Sequence, residues 1–385
     1  MHHDEYFSQR TDILRAMADA ATFRFPDMNY RSPPALAYQV WFGGGQVALY
    51  SASKCQLDHT HGLNELVFAS LQSLQLDKLF SCLSTCGLPI LGITAYQLRD
   101  EFTGRRVPLF MAWQDAEYWW GAKQAHDRWN MVSHGAEVAS QTRLADLADR
   151  LACAVDECQT HLQNLCKAYA VQLGAQDAET WELPSRCFSD SHSQAVYPAI
   201  HSFFWQLAVL RDLLAEFAAG HIFGHDGIAT YKGLLDKLKR DSTPDPDLAV
   251  KLRAAGGAEG WISVFTSYRN LFTHAASLRS VQGVHHTYQD TRTLYTRSVP
   301  QLYYPLPRDP ELLVRQRSSG SATRTPTIPI EPTEPNRSHE PDALEYLAST
   351  FDRFVQLAIA LSLRSPVEPQ MPTLTDEDII EFKGI

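Results

Sequence analysis

The chain has 385 residues and a mass of 43.3 kDa, room for two compact domains or one large helical one, which excludes a peptide hormone or a disulfide miniprotein. Hydrophobic residues make up 44%, charged residues 20% and aromatics 11%, the balance of a globular protein rather than a disordered or fibrous one. Lys and Arg number 34 against 44 Asp and Glu, a formal charge of -10; this argues against a bulk nucleic-acid coat or a binder of anionic membranes and leaves room for a small basic site.

No apolar run approaches the roughly 18 residues of a membrane span. Met1-His2-His3-Asp4-Glu5 lacks the basic region and apolar stretch of a secretory signal. Seven cysteines, Cys55, Cys82, Cys86, Cys153, Cys158, Cys166 and Cys187, show neither a Cys-x-x-Cys pair nor a zinc-type spacing. The expectation is a chain without a membrane partner, in a reduced, cytoplasmic setting.

In chain order, Phe7, Ile13, Leu14, Met17 and Ala21 fall near one stripe and predict an opening helix over Glu5 to Phe23, broken by Pro26 and Pro33-Pro34. Leu36, Tyr38, Val40 and Phe42 alternate, and Gly43-Gly44-Gly45 separates them from Val47-Ala48-Leu49-Tyr50, a strand, turn, strand pattern, with a helix interrupted by the glycines as the alternative. A helix over Leu63 to Leu83 follows. Two more strands, Pro89 to Tyr96 and Val107 to Met111, flank the turn Asp100 to Gly104.

Four long amphipathic helices dominate the rest. Leu144 to Leu173 repeats apolar residues at three- and four-residue steps, as do Tyr197 to Phe217, Gly260 to Leu278 and Asp342 to Leu363. Ser318-Ser319-Gly320-Ser321 and Pro326, Pro329, Pro332 and Pro335 mark an insertion that cannot bury a core. The chain divides into an α+β region over 1–115, a helical region over 116–300, an extended Pro/Ser/Thr-rich insertion over 301–341, a final bundle helix over 342–365 and a tail over 366–385. The fold class expected is mainly α, a C-terminal antiparallel four-helix bundle with an α+β N-terminal part.

The third long helix contains Tyr268-Arg269-Asn270-Leu271-Phe272-Thr273-His274. Asn270 and His274, four apart, share a helical face, and Arg269 sits one step around. Arginine offers a permanent cation with a planar fork for phosphate, and histidine exchanges a proton near neutral pH. That combination suits phosphodiester chemistry. Arg128 with His134, Arg186 with His192, and Arg279 with His285 or His286 have similar spacing. Only Arg269 adds a polar follower inside an amphipathic helix.

Arg269-Asn270-x-x-x-His274 late in a four-helix bundle resembles the signature of the HEPN superfamily, and the likeness covers at most 119–363. The resemblance implies a HEPN-like bundle and a metal-independent endoribonuclease of toxin or antiphage type, with no cofactor. It implies RNA as substrate, a homodimer joining two motifs in one cleft, and an antitoxin or regulatory protein as a further partner. RNA is cut by its own 2′-hydroxyl, leaving a 2′,3′-cyclic phosphate and a 5′-hydroxyl. In that chemistry His274 acts as general base or acid, Arg269 stabilises charge on the phosphoryl oxygens, and Asn270 orients phosphate or imidazole. One histidine cannot conveniently serve both in-line oxygens, a physical reason for a two-fold pair. The alternative is a non-catalytic HEPN-like nucleotide-binding or protein-interaction module.

Other groupings point elsewhere. Asp58, His59 and His61 lack further ligands for a metal, so no metal site is expected. His221, His225 and Asp226 fall where a helix ends and are read as a C-terminal cap. Trp113, Tyr118, Trp119, Trp120 and Trp129 are read as packing residues before a base-stacking platform. Arg211 and Asp212 are candidates to buttress Arg269.

Overall fold

The computed structural model of the chain describes residues 38–50, 55–57, 89–99, 106–112, 121–176, 186–240, 244–275, 287–294, 297–318 and 341–371. The helices expected over 5–23 and 63–83 lie outside them, as do the turn at 100–104 and Asp58, His59 and His61. What is described is mainly helical with small antiparallel sheets.

The first sheet has β1 (Tyr38–Phe42), β2 (Val47–Tyr50), β3 (Cys55–Leu57), β4 (Ile90–Arg99) and β5 (Arg106–Ala112), in the order β3-β2-β1-β4-β5. All neighbours are antiparallel. The glycines between β1 and β2 form a tight turn in which Gly44 has φ 70° and Gly45 φ 84°, a region that costs glycine nothing. A Cβ on Gly45 would stand 3.1 Å from the Tyr169 carbonyl carbon and oxygen. The absence of side chains there lets the sheet rest directly on a helix backbone.

That helix is α2 (Thr142–Gly174), 33 residues long, preceded by α1 (Gly121–Val138). Along α2, Leu144, Leu147, Leu151, Val155, Cys158, Leu162, Leu165, Tyr169 and Leu173 are buried, while Asp146, Asp149, Cys153, Asp156 and Glu157 are exposed on the other side. The three- and four-residue alternation puts the apolar side chains on one stripe. After β6 (Arg186–Phe188) comes α3 (Ser193–Phe217), and two short helices follow, α4 (Tyr231–Leu238) and α5 (Pro246–Ala255). Then come α6 (Trp261–Asn270), β7 (Thr287–Leu294), β8 (Arg297–Tyr303), α7 (Pro310–Ser318) and α8 (Ala343–Ser362). Strands β6, β7 and β8 form a second antiparallel sheet in that order.

Two expectations change. The bundle is built from α1, α2, α3 and α8, and α6 lies outside it against α3 and α8, through Phe204–Phe265 at 5.8 Å and Phe265–Phe354 at 5.4 Å. The sequence signal missed α1 because its buried stripe is Ala122, Ala125, Trp129, Val132 and Ala136, mostly alanine, which fits a close helix approach but has little hydrophobic contrast. Trp129 is fully buried and meets Phe217 edge-on at 4.7 Å, so it packs rather than stacks on a base. The segment 301–341 is not extended throughout: it opens with the end of β8 and then forms α7. Part of the tail also docks, with Gln370 donating its backbone N–H to Met131 at 3.0 Å.

A buried polar network joins these layers. Gln172 on α2 donates to Asp190 and Ser193, each at 2.9 Å, and accepts from the Tyr304 hydroxyl. The Ser193 and Thr287 hydroxyls are 3.0 Å apart, tying the start of α3 to β7. The Asp342 carboxylate caps α8 by accepting from Leu344 and Glu345 backbone N–H at 3.0 and 3.2 Å. It also accepts from the Tyr304 backbone N–H at 2.8 Å and the Tyr169 hydroxyl at 3.2 Å.

Gln172→Ala leaves several of these buried groups without their partner, and an expected loss of about 1–3 kcal/mol is read from urea unfolding. Burial pushes the Asp342 carboxyl up to about 7, against the pull of the Tyr304 and Glu345 N–H groups. Its unfolded value is about 3.9, so the folded state holds the proton more tightly. The stability from this group is fully present below about pH 4 and falls as pH climbs toward about 7. Thermal melts across that window should show wild type losing ground to Asp342→Asn, and parallel curves would contradict this.

Candidate active site at the end of α6

Helix α6 ends at Arg269 and Asn270, and the chain continues in a wide turn over Leu271–Ala275 with π-type hydrogen bonding. In a regular α-helix residues five apart diverge by roughly 140°, which would carry Arg269 and His274 to different faces. The wider i→i+5 turn, a feature that recurs at functional sites, brings them together. The Arg269 guanidinium donates through one nitrogen to Asn270 Oδ1 at 3.2 Å and approaches His274 Nε2 at 3.4 Å. Arginine has no acceptor, so this second contact is a hydrogen bond only when Nε2 is unprotonated and the neutral ring carries its proton on Nδ1. All three predicted residues therefore meet: His274 is exposed, and Arg269 and Asn270 are half-buried.

The turn is held from two sides. Phe272 packs against Phe204 at 5.0 Å and is stacked on His201 at 5.2 Å, and burial lowers the His201 pKa, which favours a neutral ring there. On the other side Leu271 is fully buried against Leu313 and Val314 of α7. Ser267 donates to Glu311 at 2.8 Å, and the Tyr268 hydroxyl donates to the Pro307 carbonyl at 2.9 Å. Sequence reasoning missed α7 and these contacts. Its signal was present in Asp309-Pro310-Glu311, because Asp309 caps the helix by accepting from Leu312 N–H at 2.8 Å and proline suits the first helical position.

Arg211 and Asp212 do not reach Arg269. The Arg211 guanidinium makes two hydrogen bonds to Asp212, each at 2.9 Å, and one to Thr266 Oγ1 at 2.9 Å. Asp212 in turn accepts from Tyr231 N–H at 3.1 Å. This pair fastens α6 and α4 to α3 and is structural.

The similarly spaced pairs come apart where they are described. Arg128 donates to Ser362 at 3.0 Å, joining α1 to α8, whereas His134 lies 3.8 Å from Glu137. His221 follows α3 in another wide turn, Ala218–Ile222, and lies against Phe217 at 5.4 Å. The His225 backbone N–H closes that turn on the Ala219 carbonyl at 2.8 Å. Both histidines, with Arg143, Asp146, Arg150 and Glu216, line a cavity of about 560 Å³. Among the described residues no group of three or more His, Cys, Asp or Glu is placed to hold a metal. Among them, too, no helix is long and apolar enough to cross a membrane.

No protein-family profile, curated protein or solved structure matches the chain significantly.

Arg211→Ala strands Asp212 at a site where the arginine is 8% exposed and should cost about 2–3 kcal/mol. Arg269→Ala, at a half-buried position with no carboxylate partner in the hydrogen bonds above, should stay within about 0.5 kcal/mol of wild type. Denaturant midpoints of the two variants check the contrast and show whether Arg269→Ala is a clean probe of chemistry.

Proposed function

We propose that this chain is a metal-independent endoribonuclease with a HEPN-like bundle, acting as a homodimer on RNA. The observation that supports the reading is the Arg269 guanidinium in contact with both Asn270 and His274 on one solvent-facing turn. A fixed cation beside a neutral imidazole meets the needs of transesterification. The guanidinium turns from His274 Nε2 to the phosphate, where it lowers the cost of charge building on the phosphorane oxygens, and the freed Nε2 takes the 2′-hydroxyl proton. The Asn270 amide oxygen accepts from Arg269, so it sets the direction of the guanidinium fork. The 2′-hydroxyl is the nucleophile, which makes RNA the substrate and leaves DNA uncut.

In-line displacement needs a proton taken from one oxygen and given to the opposite one. The described surroundings of Arg269 contain His274 as the exposed titratable ring and His201 stacked beneath Phe272. A second His274 from a two-fold partner supplies the missing acid. The setting as a toxin or antiphage effector, the cytoplasmic location and restraint by an antitoxin or regulatory protein rest on the family resemblance alone.

The test is cleavage of total RNA in EDTA by wild type, His274→Ala and Arg269→Ala, with product ends mapped and oligomeric state measured. The expected result is 2′,3′-cyclic phosphate ends from a wild-type dimer, with activity reduced about 10²- to 10⁴-fold by loss of the histidine and by a similar factor without the arginine. A folded dimer that leaves RNA intact favours the non-catalytic HEPN-like module.

A further inference from the structure

At the opposite end of α6 from Arg269, roughly 12 Å away along the helix, a cavity of about 640 Å³ opens between α5, α8 and the start of α6. Its walls carry Lys251 from α5, Ser349, Thr350 and Arg353 from α8, and Glu259 and Trp261 at the entry to α6. Lys251 and Arg353 are exposed, and neither forms an ion pair with a described residue. Asp245, the carboxylate near Lys251, is instead held by Arg364 at 2.7 Å and by its cap to Leu248 N–H at 2.9 Å. Glu259 is the one carboxylate among the described lining residues, so two cations outnumber it in a chain of net charge -10.

The site is also organised before any ligand arrives. The Arg353 guanidinium sits 5.9 Å over the Trp261 ring, and that ring is fixed by Phe354, edge-on at 4.7 Å. A cation held over an indole face is oriented rather than free to sweep through solvent. The cavity also receives the first turn of α6, whose leading residue Gly260 provides no side-chain cap, leaving backbone N–H donors turned outward. No capping side chain can replace it, because a Cβ on Gly260 would run into the Ala255 carbonyl oxygen. Ser349 adds an exposed hydroxyl.

We propose that this cavity binds a phosphorylated small molecule, with its phosphates held between Lys251, Arg353 and the first N–H groups of α6. Charge-assisted bonds from a forked guanidinium and a lysine are the common means of holding phosphate. The volume is within the range of small-molecule sites and exceeds what a single inorganic phosphate fills, so it has room for a ligand of nucleotide size. The proposal stands apart from the ribonuclease reading and involves none of its residues.

Isothermal titration calorimetry on the full chain, with sodium pyrophosphate and with ATP as probes, tests it. Wild type, Lys251→Ala, Arg353→Ala and Arg315→Ala are compared, the last removing an exposed cation on α7 outside the cavity. The expected result is saturable binding of at least one probe, weakened about ten- to a hundredfold in each cavity variant and unchanged in Arg315→Ala. Thermal melts confirm that the variants remain folded. Absence of saturable heat with both probes overturns the proposal, as does binding that survives both cavity substitutions or falls equally with Arg315→Ala.

Discussion

The structure depends on keeping a set of polar groups satisfied where water does not reach. At the C-terminal end of α2, Gln172 is fully buried, and Asp342 and Tyr304 beside it are nearly so. Each such group left without a partner would cost a large part of the stability of an ordinary domain. They are satisfied only if α2, the start of α3, β7, the segment after β8 and the cap of α8 arrive together. Tyr304 is the hinge of this arrangement: its hydroxyl serves Gln172, its backbone N–H serves Asp342, and its carbonyl accepts from Ala343 N–H at 2.9 Å. Its ring lies between Tyr169 at 5.0 Å and Tyr197 at 5.3 Å. Apolar packing alone tolerates alternative registers, and this network does not.

The same constraint reaches the candidate active site through the chain. Once Tyr304 is fixed, Leu306 is buried and its N–H donates to the Pro341 carbonyl at 3.0 Å. Pro307 then presents its carbonyl to Tyr268, and α7 begins, covering Leu271. The turn that joins Arg269 to His274 is therefore clamped between α3, through Phe272, and a helix whose position is set from the α2 network. Arg211, by gripping Thr266, holds the middle of α6 against α3. The exposed imidazole therefore rests on a packed base rather than on a free loop.

Legibility in the sequence followed hydrophobic contrast. Helices α2, α3 and α8 show it strongly, with leucines and phenylalanines at three- and four-residue steps, and their observed bounds fall close to the expected ones. The strands on either side of Gly43-Gly44-Gly45 were legible from alternation and glycine. Helix α1 was not, because alanine fills its inner face, and neither were β7 and β8, where Thr287, Gln289 and Gln301 stand among the apolar residues. Polar residues that pair inside a protein look, in a linear sequence, like residues that face water.

For the candidate site, the order of residues alone supplies the chemistry available: a guanidinium, an amide and an imidazole within six positions of one amphipathic helix. It also determined that Arg269 and His274 would be close neighbours, since a short segment cannot separate them far. That they touch follows from packing in three dimensions, which widens the last turn of α6 between Phe272 on α3 and Leu271 under α7. It likewise decided that Arg211 serves the scaffold and that Lys251 and Arg353, about a hundred residues apart in sequence, line one cavity. The reason is general: spacing fixes relations within a turn or two of helix, whereas relations between elements come from how buried surfaces and buried polar groups are jointly satisfied.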